Sequence, residues 1–437
     1  MLPPHFHFKM TAVLNINDGV MRAADGTPLK LKLQQSMRAE QIKALVLIAP
    51  LFIFILFSFL VPIGQMLTNA FWDPALHNTL PTTVQTMKNW DTKALPDEAV
   101  FAAFATDMKA AQKVKQSALV GKRLNYEIPT MKSKVVATAR KLEKIDAGPW
   151  KETLIGIDPV WGEVETWVTV KRASSSLTPF YLLNVLDLKQ GIDGSLQGVE
   201  EERAVYKQIL LRTLGISLLV TLITLVLGYP VAFLLATLKQ KHASILMIFV
   251  LLPFWTSLLV RTTAWTILLQ DGGIVTQFLH ITGITWLLNA VEFLQGEPAL
   301  FKTRFATVLA MTHIQLPFTL LPIYSVMKTI SPNYMRAARS LGGKPAYSFI
   351  RVYMPLTLPG VAAGCLLTFI LSLGYYITPA LVGGGADNMI AGFIDSAMNS
   401  ENNWGKAAAL GTVLLTATMI LYYVYNKLVG IDKMKLG

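Results

Sequence analysis

Residues 331–360 read SPNYMRAARS LGGKPAYSFI RVYMPLTLPG and form a polar, basic island between two long apolar segments. Ser331 is a residue type that caps helix starts, so a helix is predicted to begin there. Gly342 can end that helix, because glycine adopts positive φ at little cost. Pro345 then starts a second short helix, which is predicted to stop before Pro355. The stretch is therefore predicted to form two short helices that meet at a tight glycine corner.

The first of these helices carries small and apolar residues at helical spacing, namely Tyr334, Ala337, Ala338 and Leu341. Residues three and four apart lie on the same side of a helix, so these residues are predicted to share one face. The two alanine side chains are so small that another protein surface can approach the helix backbone closely. This pattern favours a docking surface over an ordinary amphipathic connection between two helices.

The whole chain is too apolar for a soluble domain. Of its 437 residues, 53% are hydrophobic and only 15% are charged, which is typical of a polytopic membrane protein. Its net charge is +12, but the basic residues lie beside apolar segments, which favours membrane lipids over nucleic acid as partners. Cys365 is the only cysteine, so no intramolecular disulfide can form.

Hydropathy divides the chain into four parts and predicts an all-α polytopic membrane protein with six transmembrane helices. Residues 1–43 are predicted to be an irregular cytoplasmic tail, and residues 44–67 to be the first span. Residues 68–206 are polar and are predicted to fold as a partly helical domain around Trp150, Trp161, Trp167 and Phe180. A five-helix core is predicted at 207–437, with spans near residues 209–238, 243–269, 305–327, 355–381 and 407–428.

Basic residues mark one side of the predicted membrane. They concentrate in the N-terminal tail, at Lys239 and Lys241, in the island at 331–360 and near the C-terminus. The other short connections carry mainly acidic residues: Asp271, Glu292, Glu297, Asp387, Asp395 and Glu401. Because short cytoplasmic loops carry an excess of Lys and Arg, both termini are predicted to be cytoplasmic. The block at 68–206 is then extracytoplasmic, since long translocated domains do not follow this rule.

The island resembles the cytoplasmic coupling loop of permease subunits in bacterial ATP-binding-cassette (ABC) importers. The resemblance rests on Ala337-Ala338, Leu341-Gly342, Phe349, Pro355 and Pro359-Gly360. Arg336 stands where that family commonly has Glu, which changes the sign of the charge offered to a partner. The resemblance places the coupling loop at 329–354 and implies that an ATPase subunit docks on Tyr334, Arg336, Ala337, Ala338, Leu341, Gly342 and Phe349.

Two further stretches resemble the polyamine (spermidine/putrescine) branch of these permeases. They are LPFWTS at 252–257 with RTTAW at 261–265, and YYITPALVGG at 375–384. The likeness covers about Leu210 to the C-terminus and leaves out the block at 68–206. It implies a type I importer permease of the bacterial inner membrane that translocates a polyamine or a related cationic amino compound. Opines, amino-acid derivatives and organophosphorus compounds remain open as solutes.

The same resemblance implies the partners of the chain: a second permease subunit, two ATPase subunits and an extracytoplasmic solute-binding protein. ATP and Mg²⁺ belong to the ATPase in this scheme, and no cofactor or metal is expected in this chain. Gly342-Gly343-Lys344 lacks the earlier glycine and the following hydroxyl of a phosphate loop, so the chain is not expected to be an enzyme. The alternative is a membrane-anchored sensor that acts through residues 68–206, although no segment of the sequence is typical of a cytoplasmic output domain.

Six residues in or beside the apolar segments are candidates for the pore or its gate: Arg261, Trp265, His313, Gln315, Tyr375 and Tyr376. Arg261 lies about 20 residues past Lys241, roughly 30 Å along a straight helix, which predicts a position near the outer face. There it is predicted either to reach the membrane surface or to contact a docking partner or gate. His313 and Gln315 lie mid-span, and either bond to a neighbouring helix or line the pore.

Tyr375 and Tyr376 either present their rings to a cationic solute or serve as packing residues. No Asp or Glu lies deep within any predicted span, so a dedicated site for a dication is not expected in this chain. Solute selectivity is therefore predicted to reside in the separate binding protein.

Overall fold

The computed structural model describes residues 29–202, 204–286 and 300–429. The chain divides into two compact units, Met1–Met66 and Leu67–Gly437. The predictions that concern the tail before residue 29, Glu292, Glu297 and the basic residues after residue 429 lie outside the described part of the chain.

The described part of the first unit is a long apolar helix with one altered turn. A helix at Leu29–Ile55 passes through a π-helical turn at Leu56–Leu60 into a helix at Val61–Thr68. The 33 residues Ser36–Thr68 are long and apolar enough to cross a membrane. The prediction of an irregular tail up to residue 43 is wrong, because the helix already begins at residue 29. Residues 29–43 are mostly good helix formers without Gly or Pro, which lets the helix extend beyond the apolar run.

Residues 68–206, here named the inserted domain, are helical with one small hairpin. The strands Leu188–Gln190 and Leu196–Gly198 pair antiparallel. The longest helices of the inserted domain are Glu98–Lys113 and Met131–Leu142. The other helices are Ala75–Thr79, Pro81–Thr86, Ser117–Asn125, Trp150–Ile157, Val164–Ala173 and Phe180–Val185, with 3-10 turns at Met87–Asn89 and Pro159–Gly162.

Two tryptophans form the centre of the inserted domain. Trp161 and Trp167 are fully buried with ring centroids 5.7 Å apart, and Phe104 packs against them at 4.7 and 5.3 Å. Burying a ring of this size removes about 150–250 Å² from water and contributes roughly 4–6 kcal/mol. Phe180, which was predicted in the same core, lies instead in a second cluster with residues of the last helices, because the chain has by then left the tryptophan core.

Side chains far apart in sequence hold the inserted domain against the helices that follow it. The buried carboxylate of Asp187 accepts hydrogen bonds from the N–H groups of Tyr206 (3.0 Å) and Lys207 (2.8 Å), where the next long helix starts. The ring of Tyr181 packs so closely on Gly405 that a Cβ has no room there. The inserted domain therefore belongs to the same compact unit as the helices after it.

The remaining residues form a bundle of long apolar helices with short helices between them. By length and composition, five helices of the described chain can cross a membrane, or six if one bent pair is a single span. The helices are Tyr206–Thr237, Gln240–Leu251, Leu258–Leu269, Ile274–Ile281, Arg304–Thr329, Asn333–Ser340, Pro345–Ser348, Met354–Leu373, Ile377–Val382, Ile390–Asn399 and Trp404–Val429, with a π-helical turn at Phe349–Tyr353 and 3-10 turns at Leu252–Trp255 and Gly385–Asp387.

The span predicted at 243–269 is broken into two helices. Gln240–Trp255 and Leu258–Leu269 meet at an angle of 97°. Pro253 lies in the 3-10 turn that ends the first part, and the Oγ of Ser257 accepts the N–H of Val260 at 3.2 Å to start the second. The segment predicted as one span at 243–269 is thus sharply bent near its middle, because a proline and a helix cap fall close together in the chain.

The span predicted at 355–381 differs at both ends. One helical run, Pro345–Leu373, includes the predicted second short helix, so Pro355 does not end it. A π-helical turn at Phe349–Tyr353 comes directly before Met354. In this turn the backbone N–H groups bond to carbonyls five residues earlier, not four. Because the usual hydrogen-bond pattern is already interrupted there, the helix tolerates the missing N–H of Pro355. The run ends at Leu373, and Ile377–Val382 is a separate short helix.

Two glycines let the helices at the centre of the bundle approach closely. A Cβ on Gly364 would lie 2.5 Å from the carbonyl oxygen of Thr319, which belongs to the helix at Arg304–Thr329. A Cβ on Gly360 would lie 2.9 Å from the carbonyl oxygen of Pro322 in that same neighbouring helix. Small residues four apart bring membrane helices into close contact. The hydroxyl of Thr319 also bonds to those of Thr224 (2.8 Å) and Thr368 (2.6 Å), which joins three helices.

Candidate functional site

Residues 331–353, here named the coupling corner, form the predicted helix and its glycine stop. The helix runs Asn333–Ser340. Gly342, at φ +87°, donates its N–H to a carbonyl in the last turn at 3.0 Å, and Gly343 donates to Ala338 O at 3.1 Å. This pair of bonds is the Schellman arrangement, which satisfies the last carbonyls of a helix. The prediction of a left-handed glycine after this helix is confirmed.

The two glycines of the corner are needed for different reasons. A Cβ on Gly343 would lie 2.6 Å from Ser348 Oγ and 2.8 Å from Ala338 O, so space restricts this position. Nothing lies within 4 Å of a Cβ on Gly342, so only its backbone conformation restricts that position. The geometry of the corner thus depends on both residues.

Apolar side chains of the coupling corner are exposed to solvent. Leu341 is 90% exposed, Tyr347 62% and Tyr334 54%. Of the residues predicted to share one face, Ala337 is exposed as well, whereas Ala338 is half-buried. Apolar side chains are thus exposed on both sides of the glycine corner, a feature that is common on interaction surfaces.

Arg336 places a positive charge on the same surface. Its side chain is exposed, and its guanidinium donates to Asn333 Oδ1 in the same helix. The corner therefore offers a partner a cation at the position where the sequence departs from the Glu of the family pattern.

Phe349 points into the protein. Its ring lies 5.2 Å from that of Phe233, 6.4 Å from that of Tyr229, and stacks on that of Tyr353 at 5.6 Å. Aromatic pairs at such distances contribute about 0.5–1.5 kcal/mol each beyond their buried area. Phe349 thus fixes the coupling corner to the helix at Tyr206–Thr237, a position that sequence spacing did not reveal.

Four of the six pore candidates lie near one another. Trp265 Nε1 donates to His313 Nδ1 at 3.2 Å, with the two rings 5.5 Å apart. Arg261 is close enough for its charge to act on both His313 and Tyr375. We name these four residues the polar cluster. They bring together side chains from the bent pair, from Arg304–Thr329 and from the segment after Leu373.

The predicted position of Arg261 rests on a wrong premise. It assumed a straight helix from Lys241, whereas the chain bends by 97° between Trp255 and Leu258. Arg261 follows the bend and lies near His313, in the N-terminal half of the helix at Arg304–Thr329. The bend, and not the distance along a helix, decides where the guanidinium lies.

Gln315 makes the interhelical bond that was one of its two predicted roles. Ser372 Oγ donates to Gln315 Oε1 at 2.6 Å, and both side chains are fully buried. The Nε2 group of Gln315 has no hydrogen-bond partner among the described residues. An unpaired buried amide costs about 1–3 kcal/mol, so this donor favours the approach of another polar group. Tyr375 is half-buried and Tyr376 is 39% exposed.

Sequence reasoning missed two polar features near these residues. Arg304 Nε lies 3.0 Å from Asp387 Oδ1 in an ion pair between positions 83 residues apart, and Arg212 donates to Asn388 O at 3.2 Å. The threonine junction at the bundle centre was missed as well. Threonines within apolar runs were the available signal for the junction, but nothing local predicts the ion pair.

An apolar helix bundle with an exposed helical corner and a polar cluster between its helices is consistent with a membrane transport subunit. Residues 217–430 match the model of the family described as "Binding-protein-dependent transport system inner membrane component". The chain is 33% identical over 229 residues to the "Spermidine/putrescine transport system permease protein PotB" of Haemophilus influenzae, covering 52% of this chain and 77% of that protein. It is 34% identical over 225 residues to the "Inner membrane ABC transporter permease protein YdcU" of Escherichia coli K12, covering 51% and 71%.

Among solved structures, a bacterial alginate ABC transporter in complex with an alginate pentasaccharide-bound periplasmic protein is similar to the chain. The two are 15% identical, and the match covers 53% of this chain and 80% of that chain with a TM-score of 0.40.

The chain belongs to the family of binding-protein-dependent transport system inner membrane components. It is a pore-forming permease subunit of an ABC importer, a multi-pass protein of the inner membrane and a transport component. The comparisons give no support to the alternative of a membrane-anchored sensor. The matched residues 217–430 contain the coupling corner and the polar cluster and leave out the inserted domain.

Proposed function

We propose that the coupling corner is the surface on which the ATPase of the importer docks. The observation that carries this proposal is the exposed apolar surface of Tyr334, Leu341 and Tyr347 beside a rigid glycine corner. Each of two ATPase subunits holds ATP and Mg²⁺ in this scheme and docks on one permease. Movement of the ATPase passes through Phe349 to the helix at Tyr206–Thr237, which packs on the helix that carries His313.

Purified importer tests the docking proposal. The ATPase that stays bound to the permease is measured for Leu341→Asp and for Leu186→Asp, an exposed leucine of the inserted domain. We expect Leu341→Asp to release most of the ATPase, because it places a desolvated charge in the interface. We expect Leu186→Asp to retain it. Equal retention by both variants contradicts the proposal.

The inserted domain is extracytoplasmic in this proposal, both termini are cytoplasmic, and the bent pair counts as one of six spans of a type I permease fold. The charge asymmetry of the short connections supports this orientation. In a Cys365→Ser background, an impermeant thiol reagent should label Ser133→Cys before the inner membrane is opened. Ser340→Cys, which is equally exposed on a helix, should be labelled only afterwards. The reverse order contradicts the orientation.

The solute is a polyamine or a related cationic amino compound, handed over by a binding protein to a pore that two permease subunits form. The similarity of the chain to spermidine/putrescine permeases supports this solute class. The long apolar helices from Tyr206 onward contain no Asp or Glu, so charge selectivity resides in the binding protein. The pathway itself then needs only aromatic and polar groups such as Tyr376 and His313.

Uptake into proteoliposomes that contain the complete importer tests the solute. Labelled spermidine is supplied with ATP inside, with and without the binding protein, and with unlabelled competitors. We expect uptake that requires the binding protein and is competed by putrescine. Competition by an opine or an organophosphorus compound, and not by putrescine, contradicts the solute class.

A further inference from the structure

A cavity of about 540 Å³ lies in the inserted domain, where its last helices meet the hairpin and the start of the helix at Tyr206–Thr237. Its volume falls within the roughly 300–1,000 Å³ of small-molecule sites. Three aromatic rings, Tyr126, Phe180 and Tyr206, line it together with Leu183. Polar groups share the wall with these apolar residues, so the cavity can hold a ligand that has both a polar and an apolar part.

The charges in the cavity wall are paired, with one exception. Arg172 Nη2 lies 2.8 Å from Glu127, and its Nη1 donates to backbone oxygens of the hairpin. Lys189 Nζ lies 3.6 Å from Glu200. Arg172 is therefore already paired, and the charge of the half-exposed Lys189 is screened by water beside Glu200, which leaves little attraction for an anionic ligand.

Glu165 is the exception. It lies in the first turn of Val164–Ala173 and is exposed at the rim of the cavity. It makes no ion pair and no side-chain hydrogen bond with any residue in the described part of the chain. A carboxylate that borders a cavity without a partner attracts a cation.

The rings of the cavity wall already contact cations on the protein. The guanidinium of Arg123 lies 4.6 Å from the ring centre of Phe180, and Lys406 Nζ lies 5.6 Å from that of Tyr206. Both cations are paired with glutamates. Burial raises the pKa of Tyr126 to about 12, so its phenol stays neutral and adds no charge to the wall.

We propose that this cavity binds a small solute that carries a protonated amine on an apolar chain. The ammonium pairs with Glu165, and the alkyl chain lies against Phe180, Tyr126 and Leu183. Such a site prefers an ammonium to an alcohol of the same length, because the charge-assisted bond to Glu165 is lost with the alcohol. The proposal does not depend on which solute the pore translocates.

Calorimetric titration of the full-length permease in nanodiscs, without ATPase or binding protein, tests the site. The probes are putrescine and 1,4-butanediol, which has the same carbon chain without charge. The variants are Glu165→Gln and, as a matched control, Glu163→Gln, an exposed acid two positions earlier that does not line the cavity. Leu183→Trp fills the cavity without touching its charge.

We expect putrescine to bind the wild-type chain and Glu163→Gln alike, and Glu165→Gln about tenfold more weakly. Leu183→Trp should also weaken binding, and butanediol should not bind. Equal putrescine affinity in both glutamate variants, or no saturable binding to the wild-type chain, overturns the proposal. Polyamine uptake by the complete importer is a separate measurement, so the failure of one proposal is distinguishable from the failure of the other.

Discussion

The substitution Gly342→Asp tests the coupling corner most sharply. Gly342 holds the left-handed conformation at φ +87°, which costs an ordinary residue about 1–2 kcal/mol. Its new carboxylate would lie at the C-terminal end of the helix at Asn333–Ser340, where the helix macrodipole disfavours negative charge by about 0.3–1 kcal/mol. No atom lies within 4 Å of the Cβ position, so no steric clash adds to these effects.

Together these effects disfavour the observed corner by roughly 1.5–3 kcal/mol, which lowers the equilibrium constant for forming it about ten- to hundredfold. Arg339 and Lys344 lie close by in sequence and offset part of the charge effect, which favours the lower value. We expect uptake to be abolished because the ATPase no longer docks. The abundance of the permease should stay near normal, since the substitution leaves the membrane helices untouched.

The assay compares uptake, permease abundance and the amount of ATPase that stays on the purified permease. Gly342→Asn is the matched control, because asparagine has nearly the same shape and much the same backbone cost in the left-handed region as aspartate but carries no charge. It should retain more uptake than Gly342→Asp, and the difference measures the effect of the charge. Normal uptake in Gly342→Asp refutes the reasoning, and so does a parallel loss of the permease itself.

Three further substitutions probe the packing behind the corner and the inserted domain. Phe349→Ala should weaken the aromatic cluster by about 2 kcal/mol and lower ATPase retention, which Phe349→Leu should largely restore. Gly364→Val should lower the melting temperature strongly, because its Cβ meets the carbonyl of Thr319 at 2.5 Å, whereas Gly215→Ala, with nothing within 4 Å, should not. Asp187→Asn should weaken the bonds at the start of the helix at Tyr206–Thr237 and destabilise the attachment of the inserted domain by about 2 kcal/mol. Proteolysis of the inserted domain should then be faster, while the abundance of the permease stays unchanged.

The features that depend on single residues could be predicted from the sequence. The helix start near Ser331 and the left-handed Gly342 follow from local chemistry, and both are present in the structure. The positions of most apolar helices follow from hydropathy, because about 20 apolar residues are needed to cross a membrane.

Features that depend on distant residues could not be predicted. The direction of Phe349 is set by Phe233, and the place of Arg261 is set by a bend whose angle depends on packing against other helices. The attachment of the inserted domain joins Lys122 to the backbone of Asn402, positions 280 residues apart. Hydropathy and spacing report local periodicity, and carry no information on contacts of this kind.

Site-specific photo-cross-linking from Leu341 tests most directly whether this permease receives the ATPase at the coupling corner. A photoreactive amino acid replaces Leu341, which is 90% exposed, and in a second strain it replaces Ile192, which is 51% exposed on the inserted domain. We predict a cross-link to the ATPase from position 341 and none from position 192. A cross-link to the ATPase from position 192 and not from position 341 contradicts both the docking surface and the orientation of the chain.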